Sequence, residues 1–239
     1  GWLEQQGIDY DLYGESQFHF DALPLDEYQC LAITTHPEYW SKDMYFRLKN
    51  WVFERGGRLM YLGGNGLNCE IELLDDHRVV YHNTPWSHSE IQLKPDGGAY
   101  ESRFDKRQES EANLLGVVFS FSGIMTAAPY KVIDASHWCF EGTGLKNGDT
   151  FGEKSLHQRI PGGASGHETD KISAQSPANT QLLAKGLNPD EGGAELVEHE
   201  PAGGGAVFSA GSICWPASIL VDDAVSRITA NVIRRYLGD

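Results

Sequence analysis

The chain has 239 residues, enough to bury a sizeable core as one large domain. Its 34 acidic side chains outnumber its 19 basic ones, and the formal net charge of -15 argues against nucleic acid and anionic membranes as partners. No segment approaches the roughly 18 apolar residues of a membrane span, and the first residues lack the pattern of a signal peptide. The four cysteines show no C-x-x-C spacing, so we expect no disulfide framework or zinc ribbon and a cytoplasmic location.

The first residues predict the end of a helix followed by a strand. Residues 2–6 run into Gly7, a typical helix terminator, and residues 8–13 alternate in the manner of a strand. A doubly wound domain normally opens with a strand, so we expect a first strand and most of its helix upstream of Gly1. Tyr13 would then lie at the carboxyl end of its strand.

The segment from Leu31 to Gly66 predicts a strand, a polar loop, a helix, a second strand and a glycine turn. Ser41 is a good N-cap, and Gly56 stops the helical pattern. Short connections predict parallel strands joined by a right-handed crossover. Ligand sites in such sheets lie beyond the carboxyl ends of the strands, so the loop 36–40 and the turn 63–66 should share one rim, where we expect the chemistry.

The remaining segments complete a single α/β domain over residues 1–239. Residues 69–113 contain short alternating runs separated by turns, which predicts an antiparallel β-rich insertion. Residues 114–121, 130–140 and 206–209 have strand character, and Asp222 to Leu237 form the last helix, which Gly238 terminates. We therefore predict a mostly parallel sheet with helices on both faces.

The glycine turn argues against a nucleophilic triad. Hydrolases of this general architecture place a Ser or Cys on a strained glycine turn after a central strand. This turn reads Gly63-Gly64-Asn65-Gly66, and asparagine is not an ordinary acyl nucleophile. The turn therefore supplies backbone N–H groups or an amide contact to a ligand, or it is simply a tight turn.

Histidine and carboxylate residues suggest a metal site instead. His36-Pro37-Glu38 and His88-Ser89-Glu90 are H-x-E triplets, and His167 adjoins Glu168, although chance alone will produce such pairs among nine histidines and many acids. Tyrosinate and carboxylate oxygens are hard donors, and a ferric ion can depress a phenol pKa of roughly 10. A hard trivalent metal would suit such a site.

Several segments resemble, in order and over nearly the whole chain, the large-subunit catalytic domain of the N,N-dimethylformamidase family. They read THPEYWSKDMYFRLKNWVFERGGRLMYLGGNG, ANLLGVVFSF, HWCFEGTGL, GASGHETDKIS and GGGAVFSAGSICW. The resemblance implies a flavodoxin- or glutamine-amidotransferase-like sheet, a mononuclear iron, expected as Fe³⁺, held by two tyrosines and one glutamate, and amide hydrolysis by metal-activated water. A histidine and a second glutamate would assist proton transfer.

The family's roles carry over residue by residue. Tyr39 and Tyr13 are the implied tyrosine ligands, with Tyr10 as the alternative to Tyr13. Glu90 is the implied carboxylate ligand, with Glu101 as its alternative, because residues 70–111 match the family poorly. His88 and Glu168 are the acid/base candidates. The expected substrate pocket contains His36, Glu38, Trp40, Asn65 and His137.

The resemblance therefore implies an iron-dependent amidohydrolase for a small N-substituted amide such as a formamide. It also implies a small partner subunit, an upstream domain of the same polypeptide and a homo-oligomer. Two alternatives are left open. One is a non-catalytic or carbohydrate-associated member of the same fold that has lost the metal, and the other is a zinc or manganese amidohydrolase that uses histidine and glutamate without tyrosine.

Overall fold

A mixed sheet of seven strands lies at the centre of the computed structural model, which describes residues 1–75, 77–81, 104 and 108–238. Only two pairs, both at one end of the sheet, are parallel: β1 (Cys30–Thr35) with β3 (Arg58–Gly63), and β3 with β14 (Ala206–Ser209). The other pairs are antiparallel. The prediction of a mostly parallel sheet was therefore wrong. With strands numbered in chain order, the spatial order is β1 (Cys30–Thr35), β3 (Arg58–Gly63), β14 (Ala206–Ser209), β13 (Glu195–His199), β12 (Gln181–Gly186), β8 (Tyr130–Val132) and β9 (Thr150–Phe151).

The predicted strand-helix-strand unit is present. β1 and β3 pair in parallel from Cys30↔Arg58 to Thr35↔Gly63, and helix α3 (Lys42–Arg55) joins them. The Ser41 hydroxyl accepts a hydrogen bond from the Met44 N–H at 3.2 Å, which satisfies one of the N–H groups that a helix start leaves without a partner. Gly56, with φ 74°, ends the helix as expected.

Helices cover both faces of the sheet, as predicted. Alternate β3 residues point to opposite faces, so Leu59 and Tyr61 pack with α3 while Met60 and Leu62 pack with the last helix, α6 (Asp223–Leu237). Burying an aliphatic side chain of this size contributes about 1.5–3 kcal/mol. The completely buried α3 residues are Met44, Tyr45, Leu48 and Val52.

The described residues also form three small sheets beside the main one. β2 (Tyr39–Ser41), β4 (Cys69–Leu73) and β5 (Val79–Tyr81) form the largest, in which β2 and β4 are parallel while β4 and β5 are antiparallel. β6 (Val118–Ser120) pairs with β11 (Thr169–Lys171), and β7 (Ala127–Ala128) pairs with β10 (Ser165–Gly166), both antiparallel. The predicted strands of the insertion are confirmed at β4 and β5, and residues 88–93 lie outside the described residues.

The N-terminal region differs from the prediction. Helix α1 (Trp2–Gln6) ends at Gly7 as expected, but residues 8–13 form neither helix nor strand before helix α2 (Glu15–His19). No described strand lies beside these residues to supply ladder hydrogen bonds, and Leu12 is 84% exposed. The expected strand over 8–13 was therefore wrong.

Two short helices interrupt segments expected to be strands. Residues 114–121 divide into the end of one helix and β6, and residues 130–140 divide into β8 and a 3-10 helix. Within the described parts of the chain, none of the helices combines the length and apolar character needed to cross a bilayer. Besides α1 and α2, the short helices among the described residues are α4 (Ala112–Leu115), α5 (Trp215–Ser218) and two 3-10 helices (Leu25–Glu27 and Trp138–Phe140).

Candidate active site

The carboxyl ends of β1 and β3 meet at one rim, as the strand-helix-strand pattern predicts. The Gly64 N–H donates to the Thr35 carbonyl at 3.1 Å, and the Leu67 N–H donates to the Pro37 carbonyl at 2.8 Å. Thr35, Asn65 and Leu67 have φ values of 66°, 51° and 56°, which is the left-handed region that non-glycine residues rarely enter. Such backbone conformations cluster at functional sites.

Four polar side chains converge on this rim and are called here the His36 cluster: His36, Glu38, Asn65 and Glu168. His36 Nε2 lies 3.1 Å from Glu168 Oε2 and 3.4 Å from Glu38 Oε2. The Asn65 amide donates to Glu168 Oε2 at 2.7 Å, and its nitrogen lies 3.4 Å from His36 Nε2. The imidazole is 34% exposed and the two carboxylates are 17% and 18% exposed, so the cluster is partly accessible to solvent.

The two carboxylates of the cluster have opposite pKa shifts. Burial raises the pKa of Glu38. Burial alone would also raise the pKa of Glu168, but hydrogen bonds from His36 and Asn65 outweigh it and lower this pKa. The hydrogen bond to Glu168 in turn raises the pKa of His36. Ionised Glu168 beside protonated His36 is therefore a favoured pair, and separated pKa values of this kind mark acid/base assignments.

Three of the four N–H groups of the glycine turn are already bound within the protein. The Asn65 N–H donates to Asp170 Oδ1 at 2.8 Å, the Gly66 N–H donates to the Tyr61 hydroxyl at 2.7 Å, and Gly64 and Leu67 donate within the rim. Of the roles left open by the sequence, the structure favours the amide contact, since the Asn65 side chain is part of the cluster. Glu168 is also close by, because a Cβ on Gly64 would lie 2.4 Å from its carbonyl oxygen.

Beneath the cluster lies a buried pair that the sequence analysis missed. The Tyr61 hydroxyl donates to Asp170 Oδ2 at 2.7 Å, and both side chains are at least 99% buried. Burial raises the pKa of Asp170 to about 7, against the opposing hydrogen bonds from Tyr61 and Asn65. The available signal was the spacing Glu168-x-Asp170, because residues two apart point to the same side of an extended chain.

The predicted tyrosine ligands have different partners among the described residues. Tyr39 begins β2 on the rim, contacts Glu38, and lies edge-on to Tyr81 with ring centroids 5.3 Å apart. The Tyr13 hydroxyl is 2.9 Å from that of Tyr28, and Tyr28 also forms the ring contact of Tyr13. The alternative, Tyr10, donates to a Glu4 carboxylate oxygen at 2.7 Å.

The other residues implied for the metal site stay predictions. His88, Glu90 and Glu101 lie outside the described residues. In the part of the chain that the structure describes, no group of three or more His, Cys, Asp or Glu side chains is arranged to hold a metal ion. The two-tyrosine, one-glutamate site therefore stays a prediction, and the described residues give no support to a zinc or manganese site built from histidine and glutamate alone.

Two residues expected in the substrate pocket lie elsewhere. Trp40 is 98% buried and packs edge-on against Phe18, so it belongs to the core on the α3 face. His137 Nε2 is 2.6 Å from Glu198 Oε2, a buried carboxylate that also accepts from the Tyr236 hydroxyl at 3.1 Å. His137 thus pairs with β13 and α6 and has no contact with the His36 cluster.

The thiols offer no activated nucleophile. No disulfide joins the four cysteines, all of which are described. Cys69, the nearest to the rim, directs its thiol at Glu38 Oε1 over 3.7 Å. Burial raises the pKa of Cys214 to about 12, which disfavours its thiolate. Glu168 and His36 are therefore the better-placed reactive groups.

Comparison with known proteins agrees with the resemblance noted in the sequence. Residues 1–226 match the family described as N,N-dimethylformamidase beta subunit-like, C-terminal. The chain is 26% identical to the N,N-dimethylformamidase beta subunit of Paracoccus aminophilus and 25% identical to that of Alcaligenes sp, over 287 aligned positions in each case. The alignments cover 100% of this chain but only 36% of each relative, so the chain spans about a third of their length. The chain belongs to the N,N-dimethylformamidase beta subunit-like C-terminal family.

Proposed function

We propose that this domain hydrolyses small N-substituted amides such as formamides, with His36 and Glu168 as the proton-transfer pair. The observation that carries the proposal is the position of His36 Nε2, 3.1 Å from Glu168 and 3.4 Å from Glu38 at the carboxyl ends of two parallel strands. Family membership and the activity in the relatives' names support an amide as the substrate.

The chemistry requires two proton transfers. Ionised Glu168 takes a proton from a water molecule whose oxygen attacks the amide carbonyl carbon. Protonated His36 then gives a proton to the amide nitrogen, the C–N bond breaks, and the products are a carboxylic acid and an amine. Glu168 then holds the extra proton, and exchange with solvent, which takes this proton from Glu168 and returns one to His36 Nδ1, restores both groups.

His36 has a free atom for this role. Its Nε2 faces Glu38, Glu168 and Asn65, while no group among the described residues contacts its Nδ1. The Nε2 contacts favour the protonated ring, and Nδ1–H is left to face the leaving nitrogen. Glu38 adds a second negative charge on the same side of the ring.

The oxyanion of the tetrahedral intermediate needs a partner that Gly64, Asn65 and Gly66 do not supply, because their N–H groups are already engaged. The iron implied by the family resemblance is part of our proposal, with Tyr39 as the ligand that lies on the rim. The other predicted ligands, Tyr13 and Glu90, stay predictions. No step of the mechanism is assigned to iron, since the described residues do not complete its ligand set.

Substitution of the pair tests the proposal in the complete natural polypeptide. We expect His36→Gln and Glu168→Gln each to lower kcat for amine release from N,N-dimethylformamide by about 10²–10⁴-fold, the range for loss of a general acid or base. His77→Gln and Glu141→Gln make the same changes at exposed positions and should keep activity. Wild-type rates in Glu168→Gln would contradict the assignment.

The metal requires its own measurement. Purified protein should contain iron and show a tyrosinate-to-iron charge-transfer band that Tyr39→Phe abolishes. Tyr45→Phe is the matched control, because Tyr45 is buried in α3 and donates to Glu109 at 2.8 Å. Iron-free, colourless protein that hydrolyses amides at full rate would refute the iron proposal and leave the role of His36 and Glu168 intact.

A further inference from the structure

Asn65 connects two layers of the rim. Its side-chain amide donates to Glu168 Oε2 at 2.7 Å, and its backbone N–H donates to Asp170 Oδ1 at 2.8 Å. Glu168 and Asp170 are two residues apart in one segment, so Asn65 and this segment form a closed ring of contacts. The orientation of the Glu168 carboxylate therefore depends on where the Asn65 backbone lies.

Tyr61 fixes the same turn from below. Its hydroxyl donates to Asp170 Oδ2 at 2.7 Å and accepts from the Gly66 N–H at 2.7 Å, so two consecutive turn residues are bound to one buried pair. The turn needs such contacts, because Asn65 and Leu67 both hold left-handed φ values that cost non-glycine residues free energy. Tyr61 is completely buried in β3 and is too deep to touch a substrate.

We propose that Tyr61 and Asp170 are positioning residues: they fix the Asn65 backbone, and Asn65 in turn holds the Glu168 carboxylate against His36. The catalytic consequence rests on the proposed amide hydrolysis, whereas the geometric consequence does not. Removing the Tyr61 hydroxyl frees the turn on one side without changing any group of the His36 cluster.

The pKa of His36 depends on this arrangement. The charged groups that face it are Glu38 from its own loop and Glu168, Asp170 and His167 from the segment that includes β11. The hydrogen bond that His36 donates to Glu168 is the main cause of its raised pKa. When Glu168 turns away, the His36 pKa must fall towards its ordinary value.

The test is Tyr61→Phe in the complete polypeptide, with Tyr45→Phe as the control of equal burial and equal chemistry. We expect Tyr61→Phe to lower the pKa of His36 in an NMR titration without substrate, the signal being assigned by its loss in His36→Gln. We also expect kcat to fall about 10- to 100-fold, in line with small misplacements of a catalytic group, while KM changes little. Tyr45→Phe should leave the titration and kcat unchanged.

An unaltered His36 titration in Tyr61→Phe would overturn the inference, whatever the protein's reaction proves to be. If Tyr61→Phe does not fold, Asn65→Gly is the second variant, because glycine accepts the left-handed φ and keeps the N–H to Asp170. It removes only the amide that holds Glu168, so the His36 pKa should fall in it as well. No change in that variant would also overturn the proposal. If the protein proves not to hydrolyse amides, the His36 titration still tests the positioning role of Tyr61 and Asp170.

Discussion

Asp170→Asn should change how the stability of this protein depends on pH. Asp170 is 99% buried, and its pKa of about 7 lies well above the ordinary value of 3.8. Between these two values the folded protein holds a proton that the unfolded chain has released. The carboxyl group therefore contributes full stability below pH 3.8, and that contribution is lost as the pH rises through 7.

The size of the effect follows from the shift. Each pKa unit corresponds to about 1.36 kcal/mol, so the full change is about 4 kcal/mol. Asparagine is neutral at every pH and matches the protonated form in shape. The hydrogen bonds that asparagine gains or loses change the free energy of unfolding by the same amount at every pH. The free energy of unfolding of the variant, relative to wild type, should therefore rise by up to about 4 kcal/mol between pH 4 and pH 8.

Urea unfolding followed by tryptophan fluorescence at several pH values measures this difference. Asp9→Asn removes the same charge from an exposed side chain and serves as the control, for which the difference from wild type should be almost flat. If the stability difference between Asp170→Asn and wild type is also independent of pH, Asp170 ionises in the folded protein as it does in the unfolded chain. The burial argument would then be refuted.

Two further predictions concern the backbone around the rim. Gly64→Ala places a methyl group 2.4 Å from the Glu168 carbonyl oxygen and 2.8 Å from the Ile213 nitrogen, so we expect a lower thermal midpoint and lower amidase activity. Gly14→Ala, whose Cβ would meet its nearest neighbour at 3.6 Å, is the control, and equal midpoints would contradict the close approach. Ser41→Ala removes the N-cap of α3 and should cost about 1 kcal/mol in urea unfolding, whereas an unchanged midpoint would show that the cap contributes nothing.

The elements that the sequence predicted well are those with local causes. Ser41 and Gly56 fix the ends of α3, and Asp222 and Gly238 fix those of α6, because capping involves residues three or four positions apart. The shared rim followed from short connections between parallel strands. Each of these predictions needed only the residues of one continuous segment.

The parts that were missed depend on distant partners. Asp170 receives its hydrogen bonds from Tyr61 and Asn65, 109 and 105 residues away, so nothing beside it in the sequence indicated burial. The antiparallel half of the main sheet likewise depends on which short strands pair, and alternation in each strand does not fix its neighbour. The predicted position of Tyr13 depended on a strand over residues 8–13, and no described strand pairs with those residues.

The antiparallel pairing of β6 with β11 has a consequence for insertions and deletions. Thr169, Asp170 and Lys171 face Ser120, Phe119 and Val118, and this register decides which side chain points at the turn. A slip of one residue would bring the completely buried Lys171 to the place of Asp170 and Thr169 to the place of Glu168. β6 has no residue in the His36 cluster, but its register with β11 determines which charged side chains of the 168–171 segment face the rim. Changes of length in the residues leading into either strand should be tolerated far less than substitutions there.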